Sequence, residues 1–426
     1  MKSTTFASLI ISAIVLSLST AVATAASFNI LHSFNGSDGN EPEWLLTAKD
    51  GTLWGVTFIG GDGTVGNGVL YKIDGSGVFT IIHKFAGSPD GALPGRLIQA
   101  ADGTIYGLTS SGGSLSAGTV YRIDLAGNYS VIHSFNTSTE GSGPNFLLEG
   151  STGFFYGTTS TNGIPDPDCP NNKAQGTFFR MDAAGNVTPL HTFCESIDGS
   201  GPNSVVEAGG FFYGTCKQDG PFGLGFGLGT FWKSDAVGNV ALLHVFGPKT
   251  LNGAEPTEPN GVVQAADGLF YGVANGGGLD SEGAIFRADA SGNVTTIHSF
   301  NGFASDGADP ESNFVLARDG FFYGTASQGG LPVNSFDRAG VVYRADTAGH
   351  VWILHTFVGS DGSNPVASPA LDRRGKNVFA SAIFQGPLGH GVTASTAVRP
   401  NLPISGLAFN PNPVKGGQSS TATLTL

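Results

Sequence analysis

Apolar and polar positions alternate along this chain in short runs, and the runs return with a long period. "GTVYRID" (Gly118 to Asp124) and "YSVIHSF" (Tyr129 to Phe135) alternate as half-buried strands do. Upstream, "PGRLIQAADGTIYGLTS" reads as two strands joined at Asp102-Gly103, a tight-hairpin signal. "SGGSLSAG" is a Gly/Ser loop between the second and third strands. "DLAGN" is a turn in which Asp124 caps backbone amides and Gly127 takes positive φ. The predicted unit is therefore four antiparallel strands, with no helical period inside it.

Aligned on histidine, the unit recurs at His32, His83, His133, His191, His244, His298 and His355, with gaps of 51, 50, 58, 53, 54 and 57 residues. Four strands in about fifty residues is the signature of a propeller blade. Second strands occur at Trp54, Tyr106, Tyr156, Tyr213, Tyr271 and Tyr323, with a degenerate seventh at Phe379. Complete internal fourth strands number only six, ending at Phe85, Phe135, Phe193, Phe246, Phe300 and Phe357. The orphan "FNILHSF" (Phe28 to Phe34) has no repeat in front of it to close. It supplies the missing fourth strand of the last blade and is expected to pair near Gly391 to Ala397. The expected fold is all-β, a seven-bladed β-propeller of four-stranded antiparallel blades over residues 27–397, closed by the N-terminal strand. Residues 398–426 read as a Pro-containing linker followed by a strand pair or tail resembling the opening of a bacterial immunoglobulin-like module.

Composition agrees with many turns joined by apolar strands: 66 glycines, 31 phenylalanines, 40% hydrophobic and only 12% charged residues. So apolar a chain does not read as disordered. The 20 basic and 33 acidic residues give a net charge of −13, which argues against nucleic-acid binding. Lys2, the apolar run "ASLIISAIVLSLSTAVA" and the small-residue stretch Ala23 to Ala26 form a signal peptide over residues 1–26, cleaved after Ala25 or Ala26. No later stretch is long and apolar enough to span a bilayer. The mature chain is expected to be secreted or displayed at the cell surface, as a monomer.

The motifs L/I-H-S/T-F, D-G-x-x-P, Y-G-T, a Gly-Gly loop and G-T-V-F/Y recur six or seven times between Leu31 and about Ala397. In this combination the chain resembles the GloVer (Gloeo/Verruco) tandem-repeat family. The resemblance implies an exported β-propeller. It carries over no catalytic residue, because that family has no catalytic motif to match.

Candidate chemistry must be set against repetition. Seven identical histidines around a ring cannot converge on one ion, so they read as locks between blades. The second-strand aromatics read as inter-blade packing before sugar platforms. After each fourth strand comes an acidic loop, at Asp38, Asp90, Glu140, Asp198, Asn252, Asp306 and Asp361. Each is followed by Gly, with Pro three residues later, at Pro256 in the fifth copy. The loop reads as a capped turn. As a functional reading, Asp38, Asp90, Asp198, Asp306 and Asp361 are candidate binding residues for cationic groups or Ca2+. No other cofactor is expected, and no close C-x-x-C pair marks a metal site.

Asymmetry lies in three insertions between second and third strands: Thr161 to Gln175, Cys216 to Gly229 and Ser327 to Gly340. Their acids Asp166, Asp168, Asp219 and Asp337 are further candidate binding residues. Cys169, Cys194 and Cys216 should gather there, pairing as Cys169–Cys194 or Cys194–Cys216. The expected function is an exported, non-catalytic binding or surface-structural module for an extracellular ligand, with polysaccharide or cell-envelope partners foremost. The alternative is a polysaccharide-active lyase or glycoside hydrolase at the insertion loops.

Overall fold

The computed structural model describes residues 28–62, 66–124, 126–165, 169, 174–221, 228–247, 255–302, 306–330, 332–334, 337–398, 406–409 and 422–425. The expected signal peptide lies outside them. Within them, the second repeat forms the strands Ala92–Gln99, Ile105–Ser111, Thr119–Ile123 and Tyr129–Ser134, paired in that order and antiparallel. Its first turn closes as the Asp-Gly signal requires. Gly103, at φ 94°, donates to Ala100 O, and Thr104 N donates to Asp102 Oδ1 at 2.8 Å.

Seven such sheets form, giving a seven-bladed β-propeller. Asn29–Ser33 pairs antiparallel with Val392–Ala397, from Asn29 opposite Ser395 to Ser33 opposite Val392. Phe34 N adds a bond to Gly391 O at 3.1 Å. Both ends of the ring thus meet within blade 7. Past the ring, Gly406–Phe409 pairs with Ala422–Thr425.

Two glycine rules explain the repeat. In six blades the Gly of Y-G lies opposite an aromatic residue of the third strand, as Gly55 faces Tyr71, Gly107 faces Tyr121 and Gly214 faces Trp232. A Cβ at any of these glycines would overlap the facing ring. Blade 7 breaks both members of the pair at once. Ala380 lies opposite Ala394, so the degenerate repeat is a compensated exchange of ring for methyl groups.

The second rule sits between blades. The Gly that opens each third strand has φ between 83° (Gly229) and 108° (Gly176), at Gly68, Gly118, Gly176, Gly229, Gly283, Gly340 and Gly391. A Cβ there would strike the proline of the following blade: Pro94, Pro144, Pro202, Pro259, Pro310, Pro365 and, across the closure, Pro42. The residue before the proline is left-handed even where it is not glycine, at Glu41, Leu93, Glu258, Asp309 and Asn364. Such a conformation is disfavoured ahead of proline. It turns the N–H back to the neighbouring blade, as from Leu93 to Asn67 O at 3.0 Å and from Asn364 to Ala339 O at 2.9 Å.

The fifth copy corrects the alignment. Pro259, not Pro256, occupies the inter-blade position, because the loop before it is longer than in the other blades.

Gly107→Ala should destabilise the wild-type chain by about 1–3 kcal/mol through overpacking. In a Tyr121→Ala background the same change should cost far less. Urea unfolding of the four chains of this cycle measures the coupling, and additive effects would refute the ring-against-glycine account.

Candidate functional site

Two repeated features that lie apart in the sequence, the histidine and the acidic loop, meet in the structure. Each fourth-strand histidine holds the acid of its own following loop. Nε2–carboxylate distances are 3.1 Å for His32–Asp38, 2.8 Å for His83–Asp90, 3.0 Å for His133–Glu140 and 2.6 Å for His191–Asp198. They are 3.1 Å for His244–Glu255, 3.2 Å for His298–Asp306 and 3.0 Å for His355–Asp361. The fifth acid is Glu255; Asn252 lies outside the described residues. Six of the carboxylates, all but Glu255, also accept a backbone N–H three residues beyond the histidine, as Asp90 does from Ala86 at 2.9 Å and Asp198 from Cys194 at 2.7 Å. Histidine, acid and turn are therefore one unit. The signal for it was their nearly constant separation in sequence.

Three histidines also stack across an interface on the first aromatic of the next fourth strand. His355 lies on Phe28, His32 on Phe79 and His83 on Tyr129, with centroids 3.6–3.7 Å apart and planes within 7°. These are the interfaces between blades 6 and 7, 7 and 1, and 1 and 2, all at or next to the closure.

Electrostatics follow from this packing. Burial raises Asp361, but hydrogen bonds from His355 and the Val358 N–H outweigh it and hold the acid below its ordinary value. Glu140 is lowered by the same balance with His133 and the Asn136 N–H. For His32 burial wins over Asp38, and its pKa is lowered. Asp198 and Asp306 are only 7% and 5% exposed, so a ligand could reach them only by opening the lock.

The insertion-loop residues are placed unevenly. Asp166 and Asp168 lie outside the described residues. Asp219 takes φ 60° and accepts from the Ser200 hydroxyl. Asp337 starts a two-residue strand paired with Pro332–Asn334. Cys169 and Cys194 form a disulfide with Cα atoms 5.7 Å apart. Cys216 is a free, buried thiol whose pKa burial pushes well up, so it is poorly reactive. Among the described residues no group of three or more His, Cys, Asp or Glu could hold a metal ion, and no helix is long and apolar enough to cross a membrane.

Residues that the repeat does not specify gather on the axis. A cavity of about 870 Å³ is lined by the distal halves of the inner strands and by first-turn residues of blades 6 and 7. It therefore opens on the face of the first turns, not on the face of the insertion loops. Two residues after the inter-blade proline, successive blades carry Trp44, Arg96, Phe146, Ser204 and Gly261. The Arg96 guanidinium lies 3.8 Å from the Phe146 ring centroid and 5.5 Å from that of Trp44, and its Nε donates to Leu147 O at 3.1 Å. Burial lowers its pKa to about 10, which leaves it charged at neutral pH. One residue earlier on the blade 1 strand, Glu43 is pushed up to about 7 by burial and by repulsion from Glu41 and Glu311. No repeat in the sequence marks Trp44, Arg96 and Phe146, because each occurs once at its position.

Strand order, closure and locks define a propeller module of seven like blades, with its individuality confined to the axis and the insertions. The chain belongs to the Gloeobacter/Verrucomicrobia repeat family, whose model matches residues 14–227 and 222–393. The extracellular domain of a putative one component system from B. thetaiotaomicron is similar at TM-score 0.55 and 11% identity, over 88% of this chain and 42% of that one. A puromycin hydrolase variant is similar at TM-score 0.51 and 11% identity, over 84% and 53%. The periplasmic gluconolactonase PpgL of Pseudomonas aeruginosa gives TM-score 0.49 and 17% identity, over 81% and 96%. At these identities the likeness concerns the fold alone. No curated protein matches the chain.

Two pH effects are expected. The locks of Glu140 and Asp361, whose folded pKa values are lowered, stabilise above the unfolded carboxylate range and are lost as pH falls through the folded values. Asp361→Asn should cost about 1.5–3 kcal/mol at pH 7 and progressively less toward pH 3, read by thermal melts across that range. Glu43 behaves oppositely. Its raised pKa makes stability fall as pH rises from about 4.5 to about 7. Glu43→Gln should therefore stabilise the chain at pH 8, by on the order of 1 kcal/mol, and leave it unchanged at pH 4. Equal effects at both pH values would contradict the repulsion.

Proposed function

We propose that the chain is an exported binding module, secreted or held at the cell surface, that engages a polysaccharide or another cell-envelope partner. The observation that carries this reading is the division of labour among polar groups. Acids and histidines that repeat are spent on locks within blades. Trp44, Arg96 and Phe146, which differ from blade to blade, line one axial cavity, whose size is ordinary for a ligand site. The leader-like residues 1–26 support export.

A second reading draws on Glu43. A carboxyl poised near neutrality beside other carboxylates is the usual equipment of a general acid or base, so a polysaccharide-active enzyme is the rival. Its site would be where Glu43 stands beside Glu41 and Glu311, at the start of the blade 1 inner strand. Calcium at the repeated loops would compete with the histidines for Asp38, Asp90, Asp198, Asp306 and Asp361.

A glycan array probed with the mature chain, residues 27–426, should give retained glycans without product. Turnover of any hit that is abolished in Glu43→Gln would overturn the binding reading in favour of the enzyme. A calcium titration followed by melting temperature should show no shift.

A further inference from the structure

The axial cavity has a chemical bias that names a ligand class, and the inference rests on the binding reading above. Eight charged residues line it: Arg96, Arg318, Arg373 and Arg374 against Glu149, Glu207, Asp319 and Asp372. Their numbers balance, but their availability does not. Every acid is already occupied. Glu149 accepts from Ala101 N at 2.6 Å and Glu207 from Ser151 N at 2.7 Å, each tying its blade to the preceding turn. Asp319 accepts from the Tyr323 hydroxyl at 2.8 Å, and Asp372 from the Asn377 amide at 2.7 Å. The arginines are free. Among the described residues the guanidinium groups of Arg318, Arg373 and Arg374 have no carboxylate or other acceptor in bonding range, Arg374 bonding Asp372 only through its backbone N–H, and all three residues are exposed. Arg96 bonds the protein only through Nε, which leaves both terminal amino groups of its fork without a protein acceptor.

Arg96 is also held in orientation. Its guanidinium sits against Phe146 and Trp44, and those rings restrict its rotation. A fixed planar fork matches a carboxylate through two parallel hydrogen bonds. Around it the wall is aromatic and aliphatic, with Trp44, Phe146, Leu46, Ile98 and Leu148. A sugar ring offers an apolar C–H face for such a wall and hydroxyls for water. In a chain of net charge −13, three free arginines at one mouth stand out as a local attractor for anions.

We propose that the axial cavity binds the uronic-acid units of an acidic glycan, with the carboxylate on the Arg96 fork, the sugar ring against Trp44, and Arg318, Arg373 and Arg374 gathering the anionic chain at the mouth. The ligand enters from the first-turn face, opposite the insertion loops.

Titration calorimetry with trigalacturonate, its methyl ester and neutral maltotriose tests this on the mature chain. Trigalacturonate should bind at least tenfold more tightly than either control, and more weakly as salt rises. Arg96→Lys keeps charge but loses the fork and should lose about tenfold. Arg96→Met should lose more. Arg318→Gln/Arg373→Gln/Arg374→Gln lies on exposed turns, keeps the fold by melting temperature, and should reduce affinity and flatten its salt dependence. Absence of binding to trigalacturonate, equal binding of its ester, or affinity unchanged in Arg96→Lys and in the triple variant would overturn the proposal. Array hits confined to neutral glycans and insensitive to these changes would do the same while leaving the broader binding reading standing. An array with no hit at all would remove that reading too.

Discussion

Closure of the ring is the constraint on which the other features depend. Strands Asn29–Ser33 and Val392–Ala397 come from opposite ends of the propeller and complete one sheet. An open array of seven blades would expose a sheet edge and an apolar blade face at each end. Pairing the ends covers both, and it obliges every blade to meet its neighbours at one fixed angle. The contact that sets this spacing is small. A Cβ-less third-strand residue touches the next blade's proline, seven times around the circle, with Gly391 on Pro42 completing it.

The closing blade differs from the rest in a way that fits its position. Its inner strand is short, Ala370–Leu371, as is that of blade 6, Val315–Leu316, but it alone replaces the glycine-aromatic pair, by Ala380 and Ala394. It has lost bulk where the other blades are packed by a ring. Stacked contacts appear at the outer edge of its two interfaces and the next one along, on His355, His32 and His83. The remaining four histidines face interfaces where the corresponding residue is Val187, Val240, Val294 or Val351. Stacking worth about 0.5–1.5 kcal/mol per pair is thus placed beside the seam, where the chain ends must be held without a covalent link.

Repetition also governs where function can reside. Groups present in every blade are separated by the radius of the ring and act on their own blades. His–carboxylate pairs do this: the acid orders the loop amide, and the imidazole orders the acid. Trp44, Arg96 and Phe146 are different, because inner strands converge on the axis. Three unlike side chains on adjacent blades become neighbours there, although about fifty residues separate each from the next in sequence.

The sequence by itself determined the blade, the count of seven and the closure, since these rest on period-two patterning, turn residues and an unmatched strand. It also marked the histidines as structural, because identical groups on a circle cannot meet. Tertiary structure decided what each repeated acid holds, and it moved the fifth copy from Asn252 and Pro256 to Glu255 and Pro259, where a longer loop hid the register. It also decided that Trp44, Arg96 and Phe146 meet at the axis. Linear spacing cannot show this, because adjacency across blades is fixed by the curvature of the ring and not by any local pattern along a strand.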